Sequence, residues 1–192
     1  MRIQIIAAVA AAFTAAISSA ALASDAGVVE TVAATAYGTA PSHGRIEKHA
    51  GDMVQHRELL ETSKSGGMNV KFTDGSMLKL GADSKAFVVA YVYKPEQSVA
   101  NAIVSLPEGA MHYVTGAMPK DHTTIFTPTA TMVLNGADIT VGVNERGTTH
   151  LMVEDGSVTV RSRTTGQQLV YTAGQSVDIT ETGVSTSTAE LQ

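Results

Sequence analysis

From Gly66 to Gly174 a turn signal interrupts the chain every ~8–12 residues: Gly66-Gly67, Asp74-Gly75, Pro107-Glu108-Gly109, Asn135-Gly136, Asp155-Gly156, Thr165-Gly166 and Ala173-Gly174 are examples. Runs rich in Val, Ile, Leu and Thr lie between them, and no long segment carries a 3.6-residue apolar period. Such spacing leaves room for short strands and little room for helices. We therefore expect an all-β domain of short, mostly antiparallel strands. Two architectures remain open at this stage, a sandwich and an elongated, partly solenoidal stack.

Three local patterns sharpen this expectation. A two-residue turn at Asp155-Gly156 would set Val153 opposite Val158 and Leu151 opposite Val160, collecting the apolar residues on one face. At Asp74-Gly75 a two-residue turn mixes the faces. A three-residue loop of Asp74, Gly75 and Ser76 pairs Phe72 with Leu78 and Val70 with Leu80, and is preferred because a register error exposes apolar side chains. The run Phe87 to Tyr93 is apolar at nearly every position and predicts a central strand covered on both faces.

The N-terminus reads as a targeting segment. Met1-Arg2 precedes an apolar run from Ile3 to Ile17 and then Ala21-Leu22-Ala23. At about 15 residues this run is shorter than the ~20 a spanning helix needs, so it predicts a secretory signal at 1–23, cleaved between Ala23 and Ser24. Retention as a membrane anchor is the alternative. The rest divides into a flexible lead-in at 24–42, with a first strand near Val28 to Val32 as the alternative within it, one β domain at 43–180 and a flexible tail at 181–192 rich in Thr, Ser and Glu.

Composition excludes several function classes. Cysteine is absent, which removes disulfides and thiolate metal sites. The net charge is −5, and one unit more negative without Arg2, which disfavours nucleic acid as a partner. No downstream segment is apolar enough to span a membrane once the signal is removed.

No catalytic constellation stands out. Asp74 and Asp155 each precede glycine and are expected to shape turns. Other carboxylates are scattered with no pair set beside a His or Ser, and no Gly-x-Ser-x-Gly or phosphate-binding loop occurs. His43, His49 and His56 lie close enough in sequence to meet across strands, but surface histidines are the simpler reading. Met111, Met118, Met132 and Met152 are dispersed singly and read as core filler rather than a thioether copper site. The expectation is a non-enzyme with no metal and no cofactor.

Four motifs in order add a family-level reading. They are Phe72-Thr73-Asp74-Gly75-Ser76, then Thr127-Pro128 with Ala130-Thr131 and Gly136, then Val153-Glu154-Asp155-Gly156-Ser157-Val158, and finally Gly174-Gln175 before Val177. This succession, over roughly 45–180, resembles the FecR-type domain. The resemblance implies an all-β envelope domain of the kind found in iron-uptake signal transducers, with the motif residues in structural turn roles. Where many members carry Arg-Gly-Thr after the Thr-Pro element, this chain has Asn135-Gly136-Ala137, so that arginine is missing.

The function expected on this basis is that of an exported, non-catalytic binding or scaffold module. It would serve envelope signalling, with an iron-related role implied by the resemblance, through a protein partner in the periplasm. An exposed strand edge, or the loops at 95–99 and 119–122, would receive that partner. The alternative is a secreted or cell-surface β protein that associates with copies of itself.

Overall fold

The computed structural model describes residues 25–187. Period-two alternation of apolar and polar residues dictates it, because such a strand buries one face only when a second sheet covers it. The strands are β1 (Asp25–Ala33), β2 (Ala36–Ala40), β3 (His43–Glu47), β4 (Met53–Gln55), β5 (Glu58–Thr62) and β6 (Gly67–Phe72). They continue with β7 (Met77–Leu80), β8 (Lys85–Lys94), β9 (Val99–Val114), β10 (Thr123–Phe126), β11 (Ala130–Leu134) and β12 (Asp138–Val143). The last five are β13 (Thr149–Asp155), β14 (Ser157–Ser162), β15 (Gln168–Thr172), β16 (Ser176–Thr180) and β17 (Gly183–Ser187).

Two hydrogen-bonded ladders share one strand. The first runs β4-β1-β6-β7-β9-β12-β13-β16-β17 and is antiparallel throughout. The second runs β3-β2-β5-β8-β9-β10-β11-β14-β15, with the β9–β10 pair parallel and the others antiparallel. The N-terminal part of β9 pairs in the second ladder and its C-terminal end in the first. At the changeover, Gly109 has φ +91°, and a Cβ there would lie 2.2 Å from Ser84 Oγ. Only glycine allows the shared strand to turn from one sheet into the other so close to Ser84.

One apolar cluster fills the space between the ladders. Leu78, Met111, Tyr113, Ile139, Leu151 and Val177 come from the first; Leu60, Val88, Tyr91, Ile125, Met132 and Val160 come from the second. The Phe72 and Tyr91 rings stack across the interior with centroids 4.2 Å apart. From β11 onward the chain crosses between sheets after every hairpin, advancing along the ladders. The eight inter-strand steps of each ladder, at about 4.8 Å each, make it roughly 38 Å long. The all-β fold is thus a sandwich in its layers and progressive, as in a solenoid, in its winding.

Five local expectations change. The Asp74 hairpin pairs Val70 with Leu78 and Met68 with Leu80, so its three-residue loop is Thr73-Asp74-Gly75 and the register is two residues from the one expected. A shift of two preserves the faces, and it lets the Asp74 carboxylate and Ser76 turn inward. Asp155-Gly156 is no hairpin: β13 pairs with β12 and β16, β14 pairs with β11 and β15, and the dipeptide is a corner between sheets. Val153 and Val158 both point to the core, one from each layer, so the apolar pattern of a corner matches that of a hairpin.

The run Phe87 to Tyr93 lies in β8, central in its ladder, but Phe87, Val89 and Val92 are only half-buried on the outer face. Most of the expected lead-in forms β1 and β2, with Ala26, Val29, Ala36 and Ala40 in the core. Gly183 to Ser187 of the expected tail add β17 to the first ladder. The signal segment at 1–23, with its cleavage site at Ala23 and Ser24, and residues 188–192 lie outside the described residues.

Candidate functional site

The Asp74-Gly75-Ser76 motif is a buried hub rather than an exposed turn. Asp74 Oδ1 accepts from the Ser76 amide at 3.0 Å and from the Tyr91 hydroxyl at 2.5 Å. Oδ2 accepts from Ser76 Oγ at 2.6 Å and the Met118 amide at 3.1 Å. Ser76 Oγ in turn accepts from the Gly116 amide at 2.8 Å. Four donors supply each lone-pair direction of the carboxylate with a partner, as burial of a polar group requires. The hub thereby ties the β6–β7 turn to β8 and to the segment after β9. Burial pushes the neighbouring Tyr113 phenol up to about 12 and also raises that of Tyr91.

The Thr127-Pro128 element does similar work at one end of the sandwich. Thr127 Oγ1 accepts from the Ala130 amide at 3.0 Å and from Thr149 Oγ1 at 2.7 Å, while Thr129 Oγ1 donates to the Ile179 carbonyl at 3.0 Å. Ala130 is buried and Thr131 half-buried on the outer face. Arg163 Nη1 donates to the Thr127 carbonyl at 2.8 Å. Gly136 and Gly156 meet at a corner, and Gly174 and Gln175 close the β15–β16 turn, where Gln175 Oε1 accepts from the Thr172 amide at 2.7 Å. Asp155 is exposed.

The outer face of the first sheet is polar. Asn69, Lys79, His112, Thr140, Met152 and Ser176 stand in one cross-strand row. Beside it His112 Nε2 lies 2.6 Å from Asp138 Oδ1 and 3.7 Å from Glu154 Oε2. A bulge in β13 opposite Asp138 sets both Glu154 and Asp155 next to it. Thr140 Oγ1 donates to Glu154 Oε1 at 2.7 Å. Lys79, His112, Thr140 and Glu154 border an open cleft of about 590 Å³. One row further along the sheet, His150 and Asp178 form a second cross-strand pair at 2.6 Å.

His43, His49 and His56 do not assemble as donors among the described residues: His49 sits 3.8 Å from Asp52, and His56 Nδ1 accepts from the Tyr91 amide at 3.2 Å. The grouping of His112 with Asp138 and Glu154 escapes sequence reading because the three lie on different strands and meet only through the β9–β12–β13 register. Met111, Met118 and Met132 are core, as expected, whereas Met152 is exposed on the outer face.

The sheet edges differ in character. β3 carries His43, Arg45 and Glu47, with Arg45 paired to Glu61 at 3.0 Å and 3.4 Å above the Tyr37 ring. β4 is only three residues long. β15, the other edge of the second sheet, reads Gln168-Leu-Val-Tyr-Thr172 without a charge, and Leu169 and Val170 are 42% and 59% exposed. The loops at 95–99 and 119–122 come together at one end of the molecule, where the Ala102 amide donates to the His122 carbonyl at 2.8 Å.

Motif side chains bound into corners, open outer sheet faces and an uncharged β15 edge with exposed Leu169 and Val170 characterise this β-sandwich. The FecR protein family model matches residues 58–159, and the chain belongs to that family. Two crystal structures of a candidate anti-sigma factor from Parabacteroides distasonis are similar in fold. Each has a TM-score of 0.53, at 16% and 17% identity, and each match covers 67% of this chain and 58% of the neighbour. The chain thus spans less than two thirds of those neighbours' length. No curated protein matches it.

Proposed function

We propose that the protein is an exported regulatory module of envelope signal transduction, which binds a protein partner by accepting one of its strands at the β15 edge. Membership of the FecR family supports the regulatory class, and the description of the similar crystal structures as a candidate anti-sigma factor agrees with it. The leader-like segment before Ser24 supports export to the periplasm. Among the described residues no helix is long and apolar enough to cross a membrane.

The observation that carries the site is the chemistry of β15. Sheet edges are normally guarded by charge, shortness or cover. β3 has the first and β4 the second; β15 and β17 have neither, and of these two it is β15 that exposes large apolar side chains, Leu169 and Val170. A partner strand would gain main-chain hydrogen bonds there and apolar side-chain contacts on alternate residues.

The test is in-cell crosslinking of the tagged full-length protein, with the envelope fractionated, the N-terminus sequenced and crosslinked species identified. A chain starting at Ser24 and joined to a membrane receptor or transducer, with the crosslink lost in Leu169→Lys/Val170→Lys, is the expected result. Crosslinks to itself alone, or protein outside the cell, would replace this reading with the self-associating structural one. A partner retained at full yield by the edge variant would remove β15 as the docking edge.

A further inference from the structure

We infer that His112, Asp138 and Glu154 form a binding site for a divalent transition cation of the Zn²⁺ class on the outer face of the first sheet. Three donor atoms, one from each of the adjacent strands β9, β12 and β13, lie within 4.8 Å of one another. One imidazole nitrogen and two carboxylate oxygens form a recognised set for such a metal, and the two negative charges balance its charge. Oxygen-only sites favour Mg²⁺ or Ca²⁺; the imidazole shifts the preference to Zn²⁺ and its neighbours in the transition series.

Two further observations point to a bound cation. Asp138 Oδ1 is a buried oxygen whose polar neighbour is His112 Nε2 at 2.6 Å, and among the described residues no other group bonds it. Two ligands of one tetrahedral Zn²⁺, each about 2.0–2.1 Å from it, stand about 3.3 Å apart, so the imidazole draws back from Asp138 as the ion enters and the ion takes its place as that oxygen's partner. The two carboxylates also approach each other across neighbouring strands, and among the described residues neither is ion-paired to a lysine or arginine. Like charges set side by side on a rigid sheet are unfavourable unless a cation joins them.

The surroundings suit the role. Thr140 Oγ1 holds Glu154 Oε1 at 2.7 Å, which leaves Oε2 on the His112 side and fixes the carboxylate as outer-sphere partners do at metal sites. All three ligands stand on paired strands rather than on loops, so little ordering is needed on binding. Three protein ligands leave a coordination position open toward the cleft bordered by Lys79 and Thr140. That position would accept water or an anionic group from a partner or small molecule.

The experiment is equilibrium dialysis of the chelator-treated full-length protein against ZnCl₂, with zinc per chain measured by elemental analysis. Co²⁺ absorption spectra provide a second readout. One zinc per chain, a tetrahedral or five-coordinate Co²⁺ spectrum, and loss of both in His112→Ala are expected, with affinity at least tenfold weaker in Glu154→Gln. Far-UV circular dichroism of each variant verifies its fold, and His150→Ala, which leaves the three donors intact, is expected to bind as the parent does. Absence of stoichiometric zinc, or zinc binding unchanged in His112→Ala and Glu154→Gln, would overturn the inference. Loss of zinc in His150→Ala with retention in His112→Ala would overturn it too, by moving the site to the neighbouring pair.

Discussion

Replacing Lys48 by Met separates the buried ion pair from the many exposed charges of this chain. Lys48 and Glu58 are 2% and 0% exposed, and Nζ lies 2.7 Å from Glu58 Oε1. The same Nζ donates to the Met53 carbonyl at 2.8 Å, and Glu58 Oε2 accepts from the Gln55 amide at 2.7 Å. Methionine matches the lysine stem in bulk, so packing changes little while Glu58 becomes an uncompensated buried carboxylate. Breaking such a pair costs about 3–5 kcal/mol. With a urea slope of about 2 kcal/mol per molar, the unfolding midpoint followed by far-UV circular dichroism should fall by about 2 M. Lys48→Met/Glu58→Gln removes the orphan charge and keeps an acceptor for the Gln55 amide, so it should recover most of the loss. A single-variant shift below about 0.5 M, the size expected of a surface pair, would refute the assignment of Lys48–Glu58 as a structural buried pair.

Two further outcomes follow from the corners and the core. Gly156→Ala places a Cβ 2.0 Å from the Gly136 carbonyl oxygen at φ +75°, whereas Gly166→Ala at φ +71° meets nothing within 4 Å. The second should lose only the left-handed strain, about 1–2 kcal/mol, and the first clearly more, as read from urea midpoints; equal losses would show that the corner yields freely. Burial raises the phenols of Tyr113, to about 12, and of Tyr91, above the ~10 of an unfolded chain. The unfolded state therefore loses these protons first, and stability that is complete below pH ~10 should fall as pH rises to about 12, by about 1.4 kcal/mol per unit for each tyrosine. Tyr113→Phe should flatten that decline, and an unchanged slope would exclude Tyr113 as a source.

The legible and illegible parts of this fold have a common origin in the strand period. Alternation shows which side chains of β11, β13 or β14 face inward, and it does so whether the next strand lies in the same sheet or the opposite one. Asp155-Gly156 illustrates the ambiguity: Val153 and Val158 are inward in a hairpin and equally inward at a corner, so the motif announces a turn without its destination. The Asp74 loop shows the second form, where registers two residues apart preserve both faces and only the buried demand of Tyr91 and Met118 for the Asp74 carboxylate selects one. The strands of the lead-in are hard to read from sequence for a different reason. Its alanines and glycines carry little apolar signal, yet Ala26 and Ala36 are fully buried because small side chains suffice where β1 and β2 approach the opposite sheet.

Recognition of the proposed partner has to come from side chains other than those that the family motifs bind into the corners, and the hydrogen bonds show why. Both oxygens of Asp74 are engaged by protein donors, Thr127 Oγ1 already accepts from Ala130 and Thr149, and Gln175 Oε1 serves Thr172. Groups occupied in this way hold sheets together and have little capacity left for another molecule. What differs from one such sandwich to another without disturbing the corners is the outward half of each strand and the identity of each edge. On β9 the division falls between consecutive residues: Tyr113 enters the core beside the Asp74 hub, and His112 faces the outer cleft with Asp138 and Glu154. Substitutions at 112, 138, 154, 169 or 170 should therefore change what the protein binds at small cost in stability, whereas substitutions at 74, 76 or 127 should unfold it before they reveal anything about binding.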